Sequence, residues 1–184
     1  MSNTSKFVYA LAFQIGWFVC IMAGNLASLG YALIFLICHF WFLTQRTKSH
    51  SVHKEILWVI TVFCLGLAVE TVYFSGGLLY SLIPNNLFAQ VLLPPVWLMS
   101  LWLIFSLAMR TCLSFIFHKP LLSYFACVIL IPINYYCGAW LNNEVDLNQP
   151  YFLSLSLIAL IWIVFLWHLI LIKRHYFEDI FNVH

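Results

Sequence analysis

The stretch YFLSLSLIALIWIVFLWHLILIKR, from Tyr151 to Arg174, decides the fold of this chain. Its apolar part is longer than the ~20 residues that an α-helix needs to cross the ~30 Å hydrocarbon core of a bilayer. Lys173 and Arg174 end the run with two adjacent cations. Five more apolar runs of similar length precede it along the chain. The sequence therefore predicts an all-α polytopic membrane protein, a bundle of six transmembrane helices.

The composition leaves almost no room for anything except these helices. Of the 184 residues, 64% are hydrophobic and 8% are charged, and the mean hydropathy is +0.97. These values lie far outside the range of soluble globular domains. Because six spans occupy nearly the whole chain, we expect residues 1–184 to form a single membrane domain. The formal net charge of +2 follows from membrane topology and gives no support for nucleic-acid binding.

Proline residues mark where two of the predicted helices begin or bend. Pro94 and Pro95 are expected in the first turn of helix four, where missing backbone donors cost least. Pro132 is expected to kink helix five, because it removes one backbone hydrogen bond. The tail, residues 175–184, is expected to be a frayed or interfacial helix. The six predicted helices cover about residues 7–23, 26–43, 55–74, 91–109, 120–141 and 151–172.

The cations define the predicted orientation of the bundle. Every Lys and Arg lies at alternate ends of the six runs, and short loops that carry such residues stay in the cytoplasm. Both termini are therefore predicted to be cytoplasmic. The uncharged loop from Ser75 to Gln90 and the acidic loop from Asn142 to Pro150 are predicted to face outside. The cations are Lys6, Arg46, Lys48, Lys54, Arg110, Lys119, Lys173 and Arg174.

Three polar side chains are predicted to share one layer in the outer half of the bundle. Ionisable groups inside a bilayer are costly and mark functional sites by default. At the helical rise of 1.5 Å per residue, Glu70 lies ~22 Å above Glu55 and Asn134 lies ~21 Å above Pro120. Tyr135 is next to Asn134. Glu70, Asn134 and Tyr135 are therefore the candidate catalytic residues.

Trp97, Ser100 and Tyr73 are the candidate substrate-binding residues of the same layer. Trp97 and Ser100 lie ~15–20 Å above Arg110, and Tyr73 is one helical turn from Glu70. A second interpretation stays open, in which Glu70 is a protonated side chain that joins two helices through hydrogen bonds.

A second set of residues is predicted near the cytoplasmic surface. Arg110 and His118 are candidates for contact with phospholipid head groups. His39 and His168 lie at similar depth, but two such histidines are a weak signal for haem and no second pair accompanies them. The sequence also lacks the spacing of a metal site and the common hydrolase motifs. We therefore predict no metal and no cofactor.

Four stretches, taken together and in order, resemble an uncharacterised family of bacterial inner-membrane proteins, the domain-of-unknown-function family 2878. The resemblance covers nearly the whole chain. The four stretches are FQIGWFVCIMAG at Phe13 to Gly24, GLAVETV at Gly66 to Val72, PPVWLMSLWLIF at Pro94 to Phe105, and IPINYYCGAWL at Ile131 to Leu141.

The resemblance implies a location in the bacterial inner membrane but no activity. It also implies an acidic residue at the position of Glu70. The family pattern often has Asn-His after the helix-four motif, where this chain has Arg110 and Thr111. A proton-transfer role for such a pair is therefore not carried over to this chain.

Three classes of function remain open from the sequence. The first is a small binding or accessory protein linked to lipid or envelope metabolism, with membrane lipids and a membrane or envelope protein as partners. The second is a membrane enzyme that acts on a lipid or other apolar substrate, with Glu70 as acid or base. The third is a small transporter, which the absence of an internal repeat disfavours.

Overall fold

The computed structural model describes residues 3–44, 49–83 and 93–182. Within those ranges the fold is helical apart from one short β-ribbon. The helices are α1 (Asn3–Met22), α2 (Gly24–Thr44), α3 (Ser49–Ser75), α4 (Val96–Arg110), α5 (Pro120–Leu141), α6 (Tyr151–Tyr176) and α7 (Glu178–Asn182). The strands are β1 (Leu79–Ser81) and β2 (Val145–Leu147), and a 3-10 turn covers Ser114–Phe117.

Five of the helices, α1, α2, α3, α5 and α6, are long and apolar enough to cross a membrane. The prediction of an all-α membrane protein is confirmed at that level. α4 is apolar but has only 15 residues, or about 22 Å at the usual helical rise. It begins at Val96, and its first predicted residue, Val91, lies outside the described residues. Pro95 is the N-cap, so the two prolines precede the helix and do not form its first turn.

α4 is the central helix of the bundle and packs against α1, α2 and α3. Most of its side chains are buried, including those of Trp102, Ile104 and Leu107. A helix that is apolar on all sides is expected at the centre of a bundle, where every face meets another helix. α4 therefore lies at the centre of the described helices.

α5 contains the irregularity that was predicted at Pro132. The segment Ala126–Leu130 is π-helical, between α-helical segments on both sides. Pro132 lacks a backbone N–H, and a single π-helical turn is one way in which a helix accommodates the missing hydrogen bond. The Ile131 N–H donates to the carbonyl of Ala126.

The two predicted outer loops are joined by the β-ribbon. β1 and β2 pair antiparallel, with Leu79 opposite Leu147 and Ser81 opposite Val145. Gly77 has φ +69°, a conformation that favours glycine, and it turns the chain from α3 into β1. The ribbon buries Leu79 and Val145 against the ends of the helices. The ribbon covers that end of the bundle with packed side chains.

The end of the chain packs into the core, which corrects the prediction of a frayed or interfacial tail. α6 continues to Tyr176, and α7 follows after one residue. Phe177 and Phe181 are buried with edge contacts to Trp58 at 5.4 and 5.0 Å between ring centroids. Residues 183 and 184 lie outside the described part of the chain. The aromatic side chains of the tail explain the difference, because burial stabilises them.

Candidate functional site

Glu70 on α3 is fully buried and forms hydrogen bonds with two neighbouring helices. The indole N–H of Trp102 on α4 donates to Oε1 of Glu70 at 3.0 Å. The hydroxyl of Tyr135 on α5 donates to the same oxygen. The other oxygen, Oε2, has no hydrogen-bond partner among the described residues. Glu70 therefore joins α4 and α5 to α3 through hydrogen bonds.

Aromatic rings fix the two donors in place. The Trp102 ring stacks on that of Trp162 with 5.3 Å between centroids and 10° between planes. The Tyr135 ring meets that of Tyr73 edge to face at 5.5 Å. Gly66, one turn before Glu70 on α3, allows the Trp102 ring to approach, because a Cβ atom there would lie 2.2 Å from the ring. The glycine and the rings together set the position of the hydrogen bond to Glu70.

Glu70 lies in the wall of a crevice between α1 and α5 with a volume of about 380 Å³. The crevice runs from the β-ribbon, at Leu79 and Val145, to the 3-10 turn, at Phe115 and Ile116. Among the residues described, Glu70 is the only carboxyl group that lines it. The aromatic part of the lining is Phe13, Trp17, Trp97, Trp102, Phe105, Phe115, Tyr135 and Trp162. The crevice is therefore a mostly apolar site with one acidic group.

Two of the other predicted site residues also line the crevice. Asn134 is exposed on α5, and its amide donates to the backbone carbonyl of Leu130 at 2.7 Å. Glu70 therefore bonds to a tyrosine, Tyr135, and not to Asn134. Trp97 is buried in the lining, and its backbone N–H donates to Oδ1 of Asn25 at 2.9 Å.

Ser100 and Tyr73 are buried but do not belong to the lining. The Ser100 hydroxyl donates to the carbonyl of Val96 in its own helix at 2.8 Å. The Tyr73 hydroxyl donates to the carbonyl of Ile158 on α6 at 3.5 Å. The rotation of each helix turns these two residues away from the crevice.

A comparison with known protein families matches residues 6–168 to the family described as Protein of unknown function (DUF2878). The chain belongs to this family. The resemblance inferred from the four sequence stretches is confirmed. No curated protein and no solved structure matches the chain. Evidence for what the DUF2878 chain does must therefore come from its own residues.

A second polar cluster of this DUF2878 chain lies at the opposite end of α3. Oε1 of the buried Glu55 is 2.7 Å from Nε of Arg110 at the end of α4. The Arg110 guanidinium lies over the Phe181 ring, 5.0 Å from its centroid, and Nζ of the buried Lys173 is 5.2 Å from the same centroid. Arg110 is thus paired with Glu55 and 12% exposed. His118 is exposed. The contact of these two residues with head groups stays a prediction.

The histidines considered for haem have separate partners. The hydroxyl of Tyr9 is 2.8 Å from Nδ1 of the buried His39, whose Nε2 is 4.0 Å from Oε2 of Glu55. His168 is exposed and its Nδ1 is 2.8 Å from the carbonyl of Val164 in its own helix. In the described residues, no group of three His, Cys, Asp or Glu side chains is placed to hold a metal ion.

Sequence reasoning missed the Glu55–Arg110 pair and the role of Trp102. Glu55 and Arg110 both lie at predicted cytoplasmic helix ends, so their common depth was a usable signal for the ion pair. For Trp102 the signal was Gly66, which lies inside α3 one turn before Glu70, where no chain turn requires a glycine. A glycine inside a helix often marks close approach of another group.

Proposed function

We propose that the chain is a membrane protein that binds one lipid-like chain in the crevice between α1 and α5. It would act as a small binding or accessory protein in lipid or envelope metabolism of the bacterial inner membrane. The observation that carries the proposal is the apolar crevice itself, since ligand sites are concave and mostly apolar with a few placed polar groups.

The shape of the crevice suits an extended hydrocarbon chain. Its α5 wall extends from Leu122 to Ala139, which is about 25 Å along the helix axis. Leu122 and Leu130 line the crevice and are 40% and 45% exposed. These two partly exposed lining residues are where a hydrocarbon chain would enter the crevice from the side.

The test of lipid binding uses bromine-labelled octadecyl probes at low mole fraction in phosphatidylcholine nanodiscs that contain the full chain. Bromine quenches tryptophan fluorescence on contact, and Trp17, Trp97, Trp102 and Trp162 line the crevice. We expect quenching that saturates with probe concentration. Quenching that rises only in proportion to probe concentration would indicate contact with bulk lipid and contradict the proposal.

A matched pair of variants locates the binding. Ala126→Phe places a ring in the lining and should abolish the saturable quenching. Leu121→Phe changes a side chain that is 87% exposed and is not part of the lining, so it should leave the quenching unchanged. Equal quenching in both variants would place the probe elsewhere on the protein.

A second candidate function is catalysis on the bound lipid, with Glu70 as acid or base. The observation that favours it is the Oε2 atom of Glu70, which is buried in the crevice wall without a partner among the described residues. A general acid or base must reach the proton that it transfers. Tyr135 would orient the carboxyl group through the bond to Oε1.

Glu70→Gln separates catalysis from a purely structural role. The amide keeps the size of the side chain but cannot transfer the proton. The variant should therefore fail to complement a strain that lacks the gene, while its free energy of unfolding falls by only ~1 kcal/mol. Thr71→Val is the matched control, because Thr71 bonds to the Leu67 carbonyl of its own helix and does not line the crevice. Near-normal complementation by Glu70→Gln would favour the structural role.

We also propose that α4 is the sixth span and that both termini are cytoplasmic. The supporting pattern is the set of cations at alternate ends of the apolar runs. In a Cys-free background, Asn143→Cys should react with an impermeant thiol reagent added outside cells, and Ser49→Cys should not. The reverse labelling would overturn the orientation.

A further inference from the structure

The crevice contains one buried acceptor that the described residues leave without a hydrogen bond. Oε1 of Glu70 accepts from Trp102 and Tyr135, whereas Oε2 has no partner in the described part of the chain. A buried polar atom without a partner is costly, so such atoms usually have a bound donor. Because Glu70 is fully buried and lines the crevice, a bound lipid is placed to supply that donor.

Two buried donors line the same crevice. The indole N–H groups of Trp97 and Trp162 have no hydrogen-bond partner among the described residues, and each side chain is 5% exposed. The buried polar atoms of the lining without a partner in the described part of the chain are thus one acceptor, on Glu70, and two donors, on Trp97 and Trp162. A hydroxyl both donates and accepts hydrogen bonds. An ether can only accept, and an ammonium can only donate.

The β-ribbon lies at the end of the crevice near Glu70, where the buried Leu79 and Val145 are part of the lining. On the other side of Glu70, the α5 wall extends about 20 Å from Tyr135 to Leu122. A tail that begins at Glu70 therefore has the longer part of the crevice on the side away from the ribbon.

We infer that the ligand is a single-chain lipid with a terminal hydroxyl, which donates to Oε2 of Glu70 while its tail lies along α5. This inference rests on the proposed lipid-binding function. A carboxylate head group would bring a second acidic group against Glu70.

The test compares three bromine-labelled octadecyl probes that differ only in the head group: an alcohol, a methyl ether and an amine. Dissociation constants come from saturable tryptophan quenching of the full chain in phosphatidylcholine nanodiscs. We expect the alcohol to bind about tenfold more tightly than the ether, the effect of one hydrogen bond to a carboxyl group. The amine in its ammonium form should bind more weakly than the alcohol, because an ammonium cannot accept a hydrogen bond from Trp97 or Trp162.

Glu70→Gln should reduce the preference for the alcohol over the ether to within about twofold, because an amide can donate to the ether oxygen as well as accept. Thr71→Val, outside the lining, should keep the full preference. If Glu70→Gln does not fold, the three probes on the unaltered chain still decide the inference.

Three other results of the probe experiment would contradict either the hydroxyl assignment or the lipid binding. Saturable binding of the alcohol and the ether with equal affinity would overturn the hydroxyl assignment and leave lipid binding intact. Tighter binding of the amine than of the alcohol would overturn the hydroxyl in favour of a cationic head group. If no probe shows saturable quenching, the proposed lipid binding itself fails.

Discussion

Glu55 and Glu70 lie on the same helix, α3, and both are buried, yet their surroundings differ. Glu55 is paired with the guanidinium of Arg110 at 2.7 Å. Glu70 has only neutral donors, the indole of Trp102 and the hydroxyl of Tyr135, and one of its oxygens has no partner among the described residues. Glu70 lines the crevice and Glu55 does not.

The comparison separates a carboxyl group with a structural role from one that is available to a ligand. A buried ion pair neutralises the charge of both of its members, and removal of either leaves an uncompensated charge. Oε2 of Glu55 also lacks a hydrogen bond among the described residues, so the two glutamates differ in the cation beside Glu55 and the crevice beside Glu70. A carboxyl group with an open oxygen in a cavity can instead bind or react with a ligand. The two clusters lie about 22 Å apart along α3, and the crevice lining is mostly apolar, with Gln14 and Asn134 as its amide side chains. Glu55 does not line the crevice, so the lining of the described residues does not join the two clusters.

The largest effect on stability is expected at the ion pair. Arg110→Met should lower the free energy of unfolding by about 3–5 kcal/mol, because it leaves Glu55 buried without its cation. The measurement is thermal unfolding of the purified chain in detergent. The double variant Glu55→Gln with Arg110→Met should recover much of the loss. A double variant no more stable than the single one would show that the unpaired charge of Glu55 does not cause the loss.

A smaller effect is expected where α3 touches Trp102. Gly66→Ala places a Cβ atom where the indole lies, so it should lower stability by about 1–3 kcal/mol and weaken binding of the octadecyl alcohol. Gly30→Ala is the control, because no atom lies within 4 Å of its added Cβ. It should raise stability by about 0.5–1 kcal/mol. Equal probe binding in both variants would show that the Trp102 contact with Glu70 does not matter.

The smallest effect is expected at an exposed ion pair beside the Glu55 cluster. The hydrogen bond from Lys54 holds the pKa of Asp179 below its ordinary value of 3.8. A lowered pKa stabilises the fold at neutral pH, and this contribution is lost as the pH falls through the lowered value. Because the Asp179 side chain is 53% exposed, Asp179→Asn should cost less than about 1 kcal/mol.

Thermal unfolding at neutral and acidic pH checks this small contribution. The difference between Asp179→Asn and the unaltered chain should disappear in acid, where the carboxyl group is protonated. Glu178→Gln is the control, since it removes a neighbouring exposed carboxylate that has no ion pair with a described residue. A difference that persists in acid would show that the Lys54 contact does not cause the effect.

Much of the fold follows from the sequence alone, and so does the depth of the candidate site. The apolar runs predicted all the long helices, and Pro132 predicted the irregularity in α5. Depth along each helix placed Glu70 and Tyr135 in one layer. It failed for Ser100 and Tyr73, because depth does not specify which way a helix is rotated about its axis.

The sequence by itself determined that the chain forms apolar helices, since helix length and hydropathy are local properties of each run. Only the tertiary structure decided which glutamate is paired and which is available. Arg110 meets Glu55, and Trp102 and Tyr135 meet Glu70, across different helices. Such contacts depend on the rotation and packing of helices that are distant in sequence, and steric details such as the Cβ that Gly66 lacks fix that packing.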